Sequence, residues 1–180
     1  PDEQKKIIQR SLKFRPNISF GSRLRSVFQL YYAPILQFKP IVASYIYNQY
    51  KPNTILDFSA GWGDRLVSAM VHNCNYIGVD TNLDLKKPYK KMIDFFKPYT
   101  KSKVKMYFKK AEKMDYTKLT YDFVLTSPPY YDKEKYKHMP NYNSYEDWLQ
   151  KFLFLTITKV YKSLEQNGHL CLHLPKVLYD

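Results

Sequence analysis

The 180 residues, 44% of them hydrophobic, fill one ordinary core and are too few for two, so a single domain is expected. No apolar run approaches the ~20 residues of a membrane helix, and Pro1-Asp2-Glu3-Gln4-Lys5-Lys6 lacks the apolar stretch of a secretory leader. The expectation is therefore a soluble, intracellular protein with no membrane partner. A formal charge of +13 and a pI near 9.5 favour a polyanionic partner, because lysines gathered on one face release counterions from phosphates. The competing reading is lysine as ordinary solvated surface.

In chain order, Pro1 to Leu12 is weakly helical. Arg15 to Ala33 is aromatic and basic, punctuated by Pro16, Gly21 and Pro34, and reads as an irregular arm or cap; residues 1–37 are thus set apart from a core of 38–180. Pro40 suits the first turn of a helix that stops before Pro52, with Ile41, Tyr45 and Ile46 as its apolar stripe. Thr54 to Phe58 is a short apolar strand broken by a glycine turn before a helix over Asp64 to His72. Tyr76 to Val79 is a second strand, Leu83 to Phe96 a second helix, Val104 to Phe108 a third strand and Phe123 to Thr126 a fourth. A polar, aromatic loop runs from Tyr130 to Asn143. Ser144, with Asp147 three residues on, starts a last helix whose stripe is Leu149, Leu153, Ile157, Val160 and Leu164. Asn167-Gly168 ends it before the strand His169 to Leu174. Five strands alternating with helices predict an α/β fold, a mostly parallel central sheet covered on both faces. The chain begins without Met and stops just after an apolar strand, the pattern of a piece of a longer protein.

In such sheets ligands sit beyond the carboxyl ends of the strands. Gly61 and Gly63 let the backbone approach a ligand, and the helix from Asp64 offers free amides to an anion. A dinucleotide fingerprint would need a third glycine where Leu66 stands, which argues against a nicotinamide or flavin. Asp80 closes the second strand, where an acid can accept both hydroxyls of a ribose. The alternative for these residues is a tight turn and a capping acid.

Asp57-Phe58-Ser59-Ala60-Gly61-Trp62-Gly63 resembles the first motif of class I S-adenosylmethionine-dependent methyltransferases. The resemblance implies a Rossmann-like fold with S-adenosyl-L-methionine as cofactor. It also implies that Asp57 organises the loop beside the methionine part, that Ser59, Ala60, Gly61, Trp62 and Gly63 line it, and that Asp80 binds the ribose. Phe38-Lys39-Pro40 resembles the segment that wraps the cofactor in amino-methyltransferases, which brings Phe38 and Pro40 into the expected site.

Ser127-Pro128-Pro129-Tyr130, after the fourth strand, resembles the motif of enzymes that methylate exocyclic amines, the Ser form being typical of N4-cytosine enzymes. Consecutive prolines fix an extended loop that has acceptors and no donors of its own. An amine conjugated to a base ring is a poor nucleophile, and accepting its N–H bonds helps it pyramidalise. Ser127 and the Pro128 carbonyl are accordingly expected to hold the amine, Pro129 to stiffen the loop and the Tyr130 ring to stack on the base, with direct in-line transfer. A carbon-5 cytosine enzyme would need a nucleophilic Cys in a Pro-Cys pair, and neither Cys74 nor Cys171 follows a proline. Both cysteines are expected to be reduced core thiols. A duplex base would have to be flipped out.

His169, Cys171 and His173 share one face of their strand; with no fourth ligand evident, a buried strand explains them better than a metal site does. For Trp62 two roles are open, packing on the cofactor or filling the core under its loop, the second being favoured. Glu112 and Asp115 are candidates for the adenine surroundings, although Lys109-Lys110 stands where the family often has an acid. Tyr131, Lys133, Lys135, Tyr136 and Lys137 read equally as a lid or as a solvated loop. The likeness covers Phe38 to Leu174, with five strands against the family's seven. Three functions fit: a DNA amino-methyltransferase, the same chemistry on RNA or protein glutamine, and a nucleic-acid-binding module without turnover.

Overall fold

A computed structural model of the chain describes residues 2–13, 17–31, 37–131 and 140–174. It comprises two compact units, Pro1–Gln37 and Phe38–Asp180. In the first, α1 (Asp2–Lys13) packs against α2 (Phe20–Tyr31), burying Ile7 and Val27. The segment expected to be irregular is thus helical over Phe20–Tyr31. Ser19 caps it, its Oγ accepting from the Ser22 amide at 3.3 Å, and Gly21 lies in it with open space around its Cα.

The second unit is a five-stranded parallel sheet of order β3-β2-β1-β4-β5, with β1 at Thr54–Asp57, β2 at Asn75–Asp80, β3 at Val104–Phe108, β4 at Phe123–Thr126 and β5 at His169–Leu172. Alternate strand residues feed two cores. Ile55, Tyr76, Phe123 and Leu125 pack under α3 (Pro40–Tyr50), α4 (Asp64–Val71) and α5 (Lys86–Phe96). Leu56, Ile77, Val79 and Val124 pack under α6 (Tyr145–Trp148), a π-turn (Leu149–Leu153) and α7 (Phe154–Lys162).

One expected helix face is displaced. In α3 the buried residues are Ala43 and Tyr47, whereas Ile41 and Tyr45 are 73% and 71% exposed. A small residue at 43 lets α3 lie close to α4, and Tyr47 then reaches into the core; the apolar character of Ile41 was a misleading guide. In the last helical segment the expected stripe does face the core, with Leu153 and Val160 buried and Leu149, Ile157 and Leu164 packed against the same cluster; the wide π-turn broadens that face to take in Trp148, Phe152 and Thr156. Ser144 caps this segment as expected, its Oγ accepting from the Asp147 amide at 3.1 Å while Asp147 accepts from the Asn143 amide at 3.2 Å.

β5 is less buried than its sequence suggests: His169 is exposed and Cys171 half-buried. His169 packs against Tyr50 instead, with ring centroids 4.7 Å apart and the planes tilted by 57°. Among the described residues, no helix is long and apolar enough to cross a membrane.

Candidate active site

The loop after β1 is built around a buried ion pair. Asp57 is fully buried, and its oxygens accept from Arg65 Nε at 2.6 Å, Arg65 Nη2 at 3.3 Å, the Tyr76 hydroxyl at 2.6 Å and the Ser59 amide at 3.2 Å. Arg65 also donates to the Ser59 carbonyl. Burial alone would weaken the guanidinium's hold on its proton; the Asp57 carboxylate overrides this and raises it well above the ordinary arginine value. Burial, then the Asp57 charge, pushes the Tyr76 phenol up, so it stays a donor. Asp57 therefore acts on the loop from below and presents no surface to a ligand.

Above this base the chain turns through Gly61 at φ 59° and Gly63 at φ 93°. The two glycines serve different ends. A Cβ on Gly63 would lie 2.9 Å from Met92 Cε, so Gly63 admits α5 as well as the left-handed turn. A Cβ on Gly61 would meet only the Ser59 carbonyl, at 3.9 Å, which leaves its outer side open for close approach. Gly61 is also clamped at both ends: its amide donates to Asp80 Oδ2 at 2.8 Å, and its carbonyl accepts from the Tyr89 hydroxyl at 3.0 Å.

Asp80 Oδ1 accepts from the Asn82 amide at 2.8 Å, so each carboxylate oxygen holds one backbone bond and keeps a further lone pair. Burial holds this carboxyl above the usual aspartate range, opposed by those two amides. Asp64 already places a carboxyl at the first turn of α4, which makes that helix end less inviting to an anion than the sequence suggests. Ala60 is buried, its amide bonded to the Val79 carbonyl at 3.0 Å, and Ser59 is half-buried. Trp62 is 48% exposed, contrary to the expectation that it fills the core: Phe58 and Ala60 already occupy the space beneath the loop.

The loop after β4 starts beside the first one. Parallel pairing sets Thr126 opposite Leu172, which brings His173 level with Ser127; the His173 amide donates to the Thr126 carbonyl at 2.9 Å. His173 Nδ1 lies 3.1 Å from Ser127 Oγ and 3.0 Å from the Tyr130 hydroxyl, and these two oxygens are 3.2 Å apart. The Tyr130 hydroxyl also donates to the His173 carbonyl at 3.0 Å. Pro128 is buried, while Ser127, Pro129 and Tyr130 are half-buried. His173 is a residue whose part sequence reasoning missed. The available signal was its register, one residue beyond β5 and alongside the residue that follows β4.

Phe38 joins the two loops. Its ring meets the His173 ring edge-on at 5.2 Å, and the Arg65 guanidinium lies 5.0 Å over its face. Pro40, at the first turn of α3, accepts from Ser68 Oγ at 2.7 Å and ties α3 to α4. Tyr131 and Tyr145, at the two ends of the loop, pack on Trp148, with centroids 6.5 and 5.6 Å from it. Lys133, Lys135, Tyr136 and Lys137 lie outside the described residues.

Asp115 is exposed and bonded to Thr117, and Glu112 receives Lys159 on its carbonyl. Among the described residues, no three His, Cys, Asp or Glu side chains are grouped to hold a metal ion. Cys74 and Cys171 are free thiols; burial pushes Cys74 up to about 11 and raises Cys171 as well, so neither supplies a thiolate at neutral pH.

The all-parallel sheet with helices on both faces is a Rossmann-like class I methyltransferase fold. The chain resembles the S-adenosylmethionine-dependent methyltransferase from Agrobacterium tumefaciens, with a TM-score of 0.54 and 15% identity over 73% of this chain and 42% of that one. It resembles TrmN from Thermus thermophilus with a TM-score of 0.52 and 13% identity, over 74% and 37% respectively. Against coclaurine N-methyltransferase bound to N-methylheliamine and S-adenosylhomocysteine (SAH), the TM-score is 0.50 and the identity 18%, over 74% and 34%. The chain thus spans between about a third and under half the length of these proteins. No protein-family model matches it, and no curated protein sequence does.

Proposed function

We propose that the chain is an S-adenosylmethionine-dependent methyltransferase acting on an exocyclic amino nitrogen of a DNA base, N4 of cytosine before N6 of adenine. The observation that carries this reading is the convergence of two sets of groups beyond neighbouring strand ends: Gly61 with Asp80, and Ser127 with Tyr130 and His173. The SAH bound by coclaurine N-methyltransferase, a protein of like fold, is consistent with the cofactor.

The open side of Gly61 and the spare lone pairs of Asp80 suit an adenosyl ribose and its sulfonium chain. When bound, S-adenosylmethionine supplies an electrophilic methyl group. The protein's task is to present the amine lone pair to it, and positioning of this kind accounts for much of the acceleration in such transfers. The Ser127 hydroxyl has one proton. Donated to His173 Nδ1, in the tautomer that carries its proton on Nε2, it leaves the Ser127 lone pairs free to accept from the amine. Tyr130, donating to the His173 carbonyl, is held with its ring beside this acceptor to stack on the base.

The test is incubation with methyl-labelled S-adenosylmethionine and, separately, single-stranded DNA, duplex DNA, RNA and protein, followed by hydrolysis and nucleoside analysis. Label in N4-methylcytosine or N6-methyladenine from DNA supports the proposal. Label confined to RNA or to protein glutamine assigns the chemistry to another substrate, and cofactor binding with no transfer to any of them contradicts it.

A further inference from the structure

The positive charge of the chain is concentrated in one stretch. From Lys86 to Lys118 there are twelve lysines against Asp94, Glu112 and Asp115, so less than a fifth of the sequence holds +9 of the total +13. Eleven of these lysines are exposed and Lys110 is half-buried. Lys86 to Lys105 lie on α5, on the 3-10 turn Lys97–Tyr99 and on the run into and along the edge strand β3, while Lys109, Lys110, Lys113 and Lys118 follow on turns that pack on the opposite face of the sheet. Lys90 pairs with Asp94 at 2.7 Å, an exposed pair, and Lys109 sits over the Tyr107 ring at 5.4 Å.

Two rings project among these charges. Phe95 is 68% exposed and Tyr99 80% exposed, between Lys91, Lys97 and Lys101 in sequence. Phe95 meets the Phe96 ring edge-on at 5.0 Å and is otherwise open to solvent. This is not the face of a membrane-surface helix, because α5 turns its other apolar residues, Tyr89, Met92, Ile93 and Phe96, to the core and leaves only Phe95 outside. Closely spaced cations with interleaved rings match a strand of nucleic acid, phosphates on the lysines and unpaired bases stacked on the rings.

We propose that the β3 edge is a docking surface for single-stranded nucleic acid, separate from the groups around Ser127. The sheet order puts β3 three strand spacings from β4, about 14 Å, and Tyr99 precedes its strand whereas Ser127 follows its own, which adds about 16 Å along the strands, a diagonal that several nucleotides cover. The edge thus grips the strand while a neighbouring base is presented at Ser127. This rests on the nucleic-acid part of the proposed function and adds where the strand outside the reacting base is held.

The test is fluorescence anisotropy of the full chain with a labelled 16-nucleotide mixed-sequence DNA at several salt concentrations. Lys91→Gln, Lys97→Gln, Lys101→Gln and Lys105→Gln combined should weaken binding more than about 10-fold at 0.1 M salt and flatten the slope of log affinity against log salt by about 3. Phe95→Ala with Tyr99→Ala should weaken it at least about 5-fold with the slope unchanged. A control with charge lost elsewhere in the same unit, Lys51→Gln, Lys151→Gln and Lys162→Gln, should stay within about 2-fold. Unchanged melting temperature and SAH affinity certify that each variant is folded. Equal losses in the test and control sets would overturn the proposal, as would tighter binding to phosphatidylserine vesicles than to the oligonucleotide. If wild type grips DNA through this edge but methylates nothing, the catalytic reading fails and this one stands; if the edge variants bind and methylate like wild type, the reverse holds.

Discussion

The loop after β1 and the loop after β4 start from neighbouring strands and are secured by opposite means. The first is fixed from beneath by a buried charge network, Asp57, Arg65 and Tyr76, with Asp80 and Tyr89 clamping Gly61 above it. The second is held by prolines and by hydrogen bonds among half-buried and exposed groups, Ser127, Tyr130 and His173. A loop that must keep one shape for a constant cofactor tolerates costly, rigid support. Under the proposed function the second loop admits a base, and its polar groups stand near solvent, where an incoming amine would exchange hydrogen bonds with them. Phe38, between Arg65 and His173, touches a residue that secures each loop.

Substitutions should separate these regions. Asp57→Ala leaves Arg65 buried without its partner and should cost about 3–5 kcal/mol of stability, measured by urea unfolding, with cofactor binding lost alongside. Asp80→Asn removes the acceptor charge and should weaken cofactor binding by about 10- to 100-fold in calorimetry, the loss expected for a charged hydrogen bond. Wild-type affinity should also fall with acidification, because the carboxylate is the accepting form. Since burial raises the Asp80 carboxyl, that fall should set in above the ordinary aspartate range and be absent in Asp80→Asn.

His173→Ala should lower turnover by about 10-fold, the low end for loss of a positioned hydrogen bond, while leaving cofactor affinity within about 2-fold. His173→Asn, which restores an acceptor, should recover part of it. If His173→Ala weakened the cofactor as much as Asp80→Asn does, the division between the loops would not hold.

Much of the fold is legible in the sequence because each strand is a short apolar run ended by a turn residue, as at Asp57 and Asp80. The turn at Gly61 and the proline pair are legible for the same reason: they depend on local backbone chemistry. What escapes is set by tertiary packing. The inward face of α3 depends on the closeness of α4, and the π-turn after Trp148 adds Trp148, Phe152 and Thr156 to a stripe that the 3.6-residue period otherwise places correctly. Trp62 is left outside because Phe58 and Ala60 fill the space first. The partnership of His173 with Ser127 spans 46 residues and comes only from strand register. Gly63 shows the converse: its sequence motif suggests ligand approach, while its surroundings show tight packing on Met92.

The most direct test of this division is Tyr130→Ala, assayed for cofactor affinity by calorimetry and for methyl transfer to DNA in parallel with wild type. The account predicts affinity within about 2-fold of wild type and transfer reduced by more than about 100-fold, the scale of a misplaced reactant. Transfer at the wild-type rate in this variant would contradict it.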